Sequence, residues 1–405
     1  MSGLGPLSGY KVLDFTQFES GTVCTETLAW MGAEIWKVER PGKGELGRFS
    51  VAEPDVDSVG FIILNMNKKS ITCNLKTKEG MELIHKLVKE ADVLVENMGP
   101  GSIDKLGLGY EDCKKINEKI VFAQIKGFGL DGPYKDYPAF NPIAAAVGGM
   151  PAVTGQPGEM PVQSGINLAD SGGGYMCAMS VIAALLQRER QGMGQRIEVA
   201  MQDVVIAFGR SNWEPYYREG KPPKRVGNGM PLEDVAPAGM YPCSPFGPND
   251  YVHIYCSRHP GSRQFINLCE VIGRKDILED PRFETPRSRY QHKDILDPII
   301  AEWTGKHTKF EAMDILCKSD VPAGAVFDCD DITNDEYLRE RGVMVEIEHK
   351  DRGKLIVPGF APRMSENKVS YEISPSLGNA NEEVYQKIIG LTEAEFEALK
   401  VKGVI

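Results

Sequence analysis

The chain has 405 residues and a formal net charge of −11 at pH 7, with 42% hydrophobic and 25% charged residues. This length allows two or three domains with sizeable cores, and the composition is that of an ordinary soluble globular protein. The acidic balance argues against a nucleic-acid-binding protein, whose contact surface is basic.

The cysteines and histidines point to no redox or metal chemistry. Nine cysteines are scattered without a CxxC pair, and six histidines show no metal-like grouping. An odd number of cysteines, several within apolar runs, indicates reduced thiols in a cytoplasmic protein. No secretory signal is recognisable, and the longest apolar run is too short to span a bilayer. We therefore expect a cytoplasmic protein with no metal and no membrane partner.

Strand and helix patterns alternate along the first half of the chain. This alternation predicts an α/β fold with a parallel sheet and right-handed crossovers, in a Rossmann-like architecture. The predicted strands are 11–16, 34–39, 70–75, 92–96, 120–125 and 195–200, and the predicted helices between them include 22–31 and 78–90.

The amino-acid composition becomes rich in Pro, Lys, Arg and Gly around residues 214–234, which is typical of a linker. Beyond it we predict strands at 240–243 and 251–256, helices at 265–272, 294–304 and 309–317, a β-hairpin over 343–358, and amphipathic helices at 381–389 and 393–400. This pattern divides the chain into a large Rossmann-like domain (1–215), a linker with a smaller α+β domain (216–330), and a return segment (331–405) that completes the large domain.

Asp170 ends an apolar segment and is followed by glycines at 172–174 and an apolar run over 175–186. The run predicts a buried helix, so Asp170 lies at or just before its N-terminus, where amides and the dipole favour an ionised carboxylate. An ionised, sterically open aspartate suits a covalent nucleophile, whereas a structural N-cap is the simpler alternative on these residues alone. The glycines indicate that another backbone or a ligand packs against this turn.

The turn after the first strand, residues 16–21, contains one glycine. The dinucleotide-binding fingerprint is therefore absent, and with it the main argument for a dehydrogenase. Basic residues cluster instead around the second and third strands, at Lys37, Arg40, Lys43, Arg48, Lys68, Lys69, Lys76 and Lys78. Positive charge at strand ends suits a phosphate-bearing ligand, although scattered solvated lysines explain it equally well.

Ordered segments along nearly the whole chain resemble the family III CoA-transferases of the CaiB/BaiF type. The matching segments are 6–16, 31–42, 67–71, 75–80, 92–101, 170–174, 200–203, 280–283 and 321–324. The resemblance implies a two-domain fold in an interlocked-ring dimer, and coenzyme A bound as the thioester co-substrate.

The resemblance also implies that Asp170 is the catalytic aspartate. Its carboxylate would attack an acyl-CoA thioester to give a mixed anhydride, and the released CoA would then form an aspartyl-CoA thioester. An incoming carboxylate would repeat the sequence in reverse. We expect a donor of the succinyl-CoA type and an organic acid as acceptor.

By the same resemblance, several residues would bind CoA: Arg40, Lys76, Asn97, Met98 and Lys105. Lys105 stands where formyl-CoA transferase, a family member, has Arg, so bidentate phosphate pairing is in question there. The backbone at Glu19 and Ser20 would face the thioester carbonyl.

Formyl-CoA transferase carries Gln at the position of Glu19 and Glu at the position of Asn141. A second carboxylate near Asp170 adds repulsion unless it is protonated or turned away, and a plain helix N-terminal acid is the alternative role for Glu19. Gly227 and Gly229 lie where that enzyme has a longer glycine loop over its active site, so a lid here would be shorter.

Aromatic residues offer an apolar acceptor pocket, although such residues are more often in the core: Phe18, Phe140, Trp213, Tyr216 and Tyr217. The α-methylacyl-CoA racemases share the fold and the aspartate but need an upstream histidine base, and none occurs between His85 and His253. A further alternative is a non-catalytic or partner-dependent subunit of a hetero-oligomeric CoA-transferase. The partner chain would then be a related chain rather than a second copy.

Overall fold

The computed structural model describes residues 5–49, 53–230, 235–257, 259 and 262–405. These residues form two compact units. The first unit comprises Met1–Gly149, Ser164–Phe208 and Glu336–Ile405, and the second comprises Met150–Gln163 and Gly209–Asp335. The division into domains at residues 215 and 330 stays a prediction.

The strands of the described residues are Lys11–Phe15 (β1), Glu34–Glu39 (β2), Lys69–Thr72 (β3), Val93–Glu96 (β4), Val121–Lys126 (β5), Gln195–Ala200 (β6), Ala238–Pro242 (β7), Tyr251–Tyr255 (β8), Ala323–Ala325 (β9), Met344–His349 (β10) and Gly353–Pro358 (β11). The first six form one sheet with the order β3-β2-β1-β4-β5-β6, in which every neighbouring pair is parallel. This is the strand order of a doubly wound, dinucleotide-binding fold. The predicted α/β fold with a parallel sheet is confirmed.

The α-helices are Ser20–Trp30 (α1), Val59–Leu64 (α2), Lys78–Glu90 (α3), Ser102–Lys105 (α4), Tyr110–Ile116 (α5), Asn141–Val147 (α6), Met150–Val153 (α7), Leu168–Gln191 (α8), Met201–Phe208 (α9), Trp213–Glu219 (α10), Gln264–Val271 (α11), Pro286–Gln291 (α12), Lys293–Thr304 (α13), Lys309–Lys318 (α14), Cys329–Asn334 (α15), Glu336–Glu340 (α16) and Glu393–Val401 (α17). Shorter 3₁₀ segments occur at Arg210–Asn212, Lys275–Glu279 and Pro281–Phe283, and a π-helical segment at Glu383–Ile388.

The sheet is buried on both faces because helices cover it, which explains its nearly continuous apolar strands. Every residue of β4 and of β5 is buried. On one side, α3 begins where the Thr77 hydroxyl accepts a hydrogen bond from the Gly80 amide, and it turns an apolar stripe towards the sheet. The residues of that stripe that belong to the core are Leu83, Ile84, Leu87 and Val88.

Helix α8 starts seven residues before the predicted run 175–186 and contains the glycines at 172–174. Asn167 occupies its N-cap position, so the interpretation of Asp170 as the N-cap is wrong. Asp170 lies instead within the first turn. The helix continues through its glycines because the close packing that they allow compensates for their low helix propensity.

The glycines of α8 serve helix packing. A Cβ atom on Gly174 would lie 2.5 Å from the carbonyl oxygen of Ser20 in α1, and one on Gly172 would lie 2.8 Å from the ring of Phe208 in α9. These contacts leave no room for a side chain at either position. The sequence predicts that either another part of the protein or a ligand packs against these glycines. Gly172 and Gly174 make room for neighbouring helices, not for a ligand.

Among the described residues, α8 is long and apolar enough to cross a membrane by length and composition, but half of its most apolar stretch is buried within the protein. The predicted apolar run 175–186 is shorter because it begins after the glycines. Core helices of soluble proteins meet the same criterion, so this helix is weak evidence for a membrane span.

The second unit contains a three-stranded antiparallel sheet in the order β7-β8-β9. Its core includes Val252 and Ile254 from β8 and Leu296 and Ile300 from α13. In the first unit, β10 and β11 form the predicted antiparallel hairpin.

Candidate active site

A cavity of about 840 Å³ lies at the carboxyl ends of the parallel strands. All its lining residues belong to the first unit. Residues that follow each of the six strands contribute to the wall: Gln17, Arg40, Asn74, Asn97, Gly127 and Met201. In open parallel sheets, ligands bind at this edge where the strand order reverses, which here is between β1 and β4.

Seven of the ten predicted site residues line this cavity: Asp170, Glu19, Ser20, Arg40, Lys76, Asn97 and Met98. Lys105, the exposed last residue of α4, is not among the described lining residues. Gly227 and Gly229 belong to the second unit, where Gly229 lines a separate cavity of about 10 Å³. The roles of these three residues stay predictions.

Asp170 is half-buried in the first turn of α8. Burial raises the pKa of its carboxyl from the ordinary 3.8 to about 6, and the negative charge of Glu19 adds to the rise. The pKa is thus raised rather than lowered as the position at a helix N-terminus predicted, with desolvation as the largest cause. A carboxyl group with a pKa of about 6 is still about 90% ionised at pH 7.

The Glu19 carboxylate lies across the first turn of α8 and flanks Asp170. The Asn167 amide donates to Glu19 Oε2 at 2.6 Å, and the Ser171 hydroxyl donates to Glu19 Oε1 at 2.6 Å. Glu19 occupies the N-cap position of its own helix, α1, but makes no side-chain capping bond there. Its alternative role as a plain helix N-terminal acid stays a prediction, although both side-chain oxygens bond to residues of the α8 start rather than cap α1.

Asn141 caps α8 from a neighbouring helix. Its Oδ1 accepts hydrogen bonds from the amides of Ala169 at 3.0 Å and Asp170 at 3.3 Å, and its Nδ2 donates to Asn167 Oδ1 at 3.1 Å. These bonds satisfy amides that the helix itself leaves unpaired. Asn141, Asn167, Glu19 and Ser171 thus form one hydrogen-bonded network around Asp170, which we call the Asp170 network.

Glu19 is the one network member among the ten predicted site residues, and Asn141 stands out in the sequence only by its difference from formyl-CoA transferase. The sequence singles out neither Asn167 nor Ser171. The only sequence signal for them is their position within three residues of Asp170. Their common partner, Glu19, lies about 150 positions earlier, so sequence distance hides the contact.

The turn between β1 and α1 is held in a strained conformation beside Asp170. Phe18 has a φ of +57°, a region that costs a bulky residue about 1–3 kcal/mol. Asn97 clamps this turn: its Oδ1 accepts from the Gln17 amide, while its Nδ2 donates to the Gln17 carbonyl and to the Ser20 hydroxyl. The visible role of Asn97 is thus to shape the cavity wall.

Two buried lysines bond to the backbone of this turn and of the first turn of α1. Lys37 Nζ donates to the Thr16 carbonyl at 3.0 Å, and Lys68 Nζ donates to the Thr22 carbonyl at 3.1 Å. Lys68 also pairs with Asp14 at 3.3 Å, and both side chains are fully buried. Nearby positive charge keeps the Asp14 carboxyl ionised, so its pKa is lowered despite burial.

Six of the eight basic residues near the second and third strands therefore fall into two groups, whereas Lys69 and Lys78 pair with glutamates outside the buried core. Lys37, Lys68 and Arg48 are buried and paired with carboxylates, Arg48 with Glu39 at 2.6 Å. Neither of the two explanations left open, a phosphate-bearing ligand or a solvated face, applies to these three. The exposed basic residues of the strand ends that line the cavity are Arg40, Lys43 and Lys76.

The architecture defines the class of protein: an α/β protein with a cavity at the switch point of a parallel sheet, next to a half-buried carboxylate. The family model of CoA-transferase family III matches residues 7–381. This chain belongs to CoA-transferase family III.

Curated relatives and solved structures agree with this family. The chain is 38% identical over 411 residues to the formyl-CoA:oxalate CoA-transferase of Streptomyces coelicolor, covering 98% of this chain and 99% of that one. It is 36% identical to the enzyme of that name from Bradyrhizobium diazoefficiens, covering 98% and 97%. A CAIB/BAIF family protein from Brucella suis superposes with a TM-score of 0.83 at 30% identity, covering 95% and 99%. The Mycobacterium tuberculosis protein Rv3272 superposes with a TM-score of 0.79 at 27% identity, covering 94% and 99%.

Proposed function

We propose that this chain moves CoA from an acyl-CoA donor of the succinyl-CoA type to the carboxylate of an organic acid, with Asp170 as the nucleophile. The observation that carries the proposal is the position of Asp170, whose side chain lines the cavity at the sheet switch point. With a pKa of about 6, this carboxylate is mostly ionised at neutral pH and is partly desolvated. Both properties favour attack on a thioester.

The proposed chemistry proceeds through two kinds of covalent intermediate. The Asp170 carboxylate attacks the thioester carbonyl carbon, and the C–S bond breaks to give an acyl-aspartyl anhydride and CoA thiolate. The thiolate attacks the aspartyl carbonyl, which releases the donor acid and leaves an aspartyl-CoA thioester. The acceptor carboxylate displaces CoA to form a second anhydride, and the thiolate then attacks the acceptor acyl carbon. No water is consumed, so the thioester bond energy is retained.

Glu19 is proposed to assist by electrostatics. Because its carboxylate is hydrogen-bonded across the turn that carries Asp170, the two negative charges repel one another. Formation of either covalent intermediate removes the charge on Asp170 and relieves this repulsion. The first-turn amides of α1, at Ser20, are proposed to stabilise the negative charge that develops on the thioester oxygen.

Coenzyme A is proposed to lie along the carboxyl ends of β2, β3 and β4. Arg40 and Lys76 are exposed at the cavity wall and suit the phosphates, while Asn97 and Met98 form the wall beside them. A phosphate contact of Lys105 and a lid role of Gly227 and Gly229 remain parts of the proposal that the cavity lining does not support.

A second candidate reaction, transfer of CoA between formyl-CoA and oxalate, is favoured by the names of the relatives. Both curated relatives described above carry this activity in their names and align over 98% of the chain. The racemase alternative finds no support, because the described residues that line the cavity include no histidine to act as a second base.

We further propose a cytoplasmic dimer, either of two copies or of this chain with a related one, in the interlocked arrangement of the family. An exposed apolar stripe on α8, formed by Tyr175, Met179 and Leu186, supports an interface in the first unit. If the chain were a silent subunit, the purified protein would be inactive alone and its complex would be insensitive to loss of Asp170.

The decisive experiment traps the intermediate. The purified chain is mixed with succinyl-CoA, or separately with formyl-CoA, in the presence of hydroxylamine, and the peptides are analysed by mass spectrometry. A hydroxamate on Asp170 is expected with the true donor. The fraction of protein that carries the hydroxamate after a single turnover is compared for the two donors. The donor that gives the larger fraction identifies which of the two candidate reactions is correct.

Two variants control this experiment. Asp170→Asn is expected to bind acyl-CoA and form no hydroxamate, whereas Asp112→Asn, a carboxylate on the surface of α5, is expected to react like the wild type. Absence of an Asp170 adduct with every acyl-CoA that binds would refute the proposal that this chain is catalytic.

A further inference from the structure

Two aromatic rings stand beside the reactive carboxylate without being part of the core. Phe18 and Phe140 line the same cavity as Asp170, and their side chains are 48% and 67% exposed. Their ring centroids lie 6.5 Å apart with an interplanar angle of 81°, which is the favourable edge-to-face arrangement. The pair presents apolar surface to the cavity rather than to the protein interior.

The backbone at Phe18 adds an independent observation. Its φ of +57° is a conformation that glycine or asparagine adopts at much lower cost. The turn is nevertheless fixed, because the Thr22 hydroxyl bonds to the carbonyls of Phe18 and Glu19 while Asn97 clamps Gln17. A strained, half-exposed aromatic residue contributes little to folding, and strain of this kind concentrates at binding sites.

The two rings come from different segments of the chain, and each is next in sequence to a member of the Asp170 network. Phe18 directly precedes Glu19, and Phe140 directly precedes Asn141. Glu19 and Asn141 are both members of the Asp170 network, and Asn141 bonds to the Asp170 amide itself. The same two segments therefore supply the ring pair and two members of the network around the carboxylate.

We propose that Phe18 and Phe140 determine acceptor specificity, and that the acceptor is an acid with a bulky apolar body, such as an aryl or branched alkyl carboxylic acid. This inference rests on the proposed function, in which the acceptor carboxylate reaches the Asp170 carbonyl. An apolar body next to that carboxylate packs against the exposed surface of the ring pair and displaces water from it. Oxalate has no apolar surface to offer them.

The test separates the acceptor step from the donor step. The enzyme is first loaded with CoA from its donor and freed of excess donor, and the loaded enzyme is then mixed with phenylacetate, cyclohexylacetate, acetate or oxalate. Release of CoA from Asp170 is followed by mass spectrometry in single turnovers. The wild type is compared with Phe18→Leu, Phe18→Ala and Phe140→Ala.

A matched control comes from the second unit, where Phe310 and Phe327 form a comparable aromatic pair at 5.5 Å. Phe310→Ala is expected to behave like the wild type with every acid. The cavity variants are expected to react with phenylacetate about 10- to 100-fold more slowly, the range for loss of apolar contacts in a specificity pocket, while acetate changes less than about twofold. Phe18→Leu is expected to fall between the wild type and Phe18→Ala.

Each outcome is decisive. If the loaded wild type prefers oxalate, or if the cavity variants slow acetate and phenylacetate equally, the inference is overturned while the proposed function stands. If no donor loads the wild-type enzyme, the proposed function fails, and the inference fails with it. A selective loss of aryl acid transfer in the cavity variants alone supports the inference.

Discussion

Replacing Glu19 by Gln changes the charge beside Asp170 while retaining the size of the side chain. In the wild type the pKa of Asp170 rises from 3.8 to about 6, with burial as the larger cause and Glu19 as the smaller one. Glu19 therefore accounts for less than half of a rise of about 2 pH units, or less than about 1.4 kcal/mol at the conversion of 1.36 kcal/mol per pH unit.

The charge of Glu19 raises the pKa of Asp170, so its removal is expected to lower that pKa. Asp170 attacks as the carboxylate, so activity rises with pH through its pKa of about 6. Without the Glu19 charge the carboxylate forms at lower pH, and the acid limb of the pH profile is expected to move down by up to about 1 pH unit. Above pH 7.5 Asp170 is ionised in both proteins. There we expect the covalent step to be slower in Glu19→Gln, because this variant lacks the repulsion between Glu19 and Asp170 that formation of the intermediate relieves.

The assay is the single-turnover rate of hydroxamate formation on Asp170 between pH 4.5 and 8. Asn167→Ala is the matched control, since it removes the 2.6 Å hydrogen bond to Glu19 and leaves both charges in place. Its acid limb is expected to stay close to that of the wild type. An acid limb that is unchanged or moves to higher pH in Glu19→Gln would refute the electrostatic coupling of the two carboxylates.

Three further predictions concern the packing and the charges around the site. Gly174→Ala places a Cβ 2.5 Å from the carbonyl oxygen of the first residue of α1, so it should lower the free energy of unfolding by about 1–3 kcal/mol in urea titrations and reduce activity. Lys68→Met leaves Asp14 buried without its 3.3 Å ion pair, and we expect a loss of about 3–5 kcal/mol in the same measurement. Lys76→Ala is expected to raise the KM for acyl-CoA with little change in kcat, and to weaken the dependence of KM on salt.

Each of these predictions has its own control. Gly173→Ala, whose Cβ would meet its nearest neighbour at an ordinary 3.5 Å, is expected to retain or slightly gain stability. Equal effects at the two glycines would contradict the packing argument. Full stability in Lys68→Met would show that Asp14 finds another partner or is protonated. For Lys76→Ala, an unchanged KM would exclude a phosphate contact, and Lys78→Ala on the same segment serves as the comparison.

The sequence alone was sufficient to predict the α/β class of the first unit, its parallel sheet and several of its elements. The predicted ranges 34–39, 78–90 and 195–200 coincide with β2, α3 and β6, because alternating apolar runs and amphipathic periods are local properties of the chain. The third strand ends earlier than predicted, at Thr72, since the next residues turn into the cavity wall. Asp170 was identifiable from its neighbours and from the family resemblance.

Only the tertiary structure decided what surrounds Asp170. The bonds from Asn167 and Ser171 to Glu19 join residues about 150 positions apart, and no local pattern encodes which side chains meet when two helices pack. The same holds for Lys37 and Lys68, whose charges suggested a ligand but are buried and bond to the backbone of the β1–α1 turn and of α1. Periodicity determines which elements form, whereas the direction of each polar side chain depends on long-range packing and on the hydrogen bonds that burial makes obligatory.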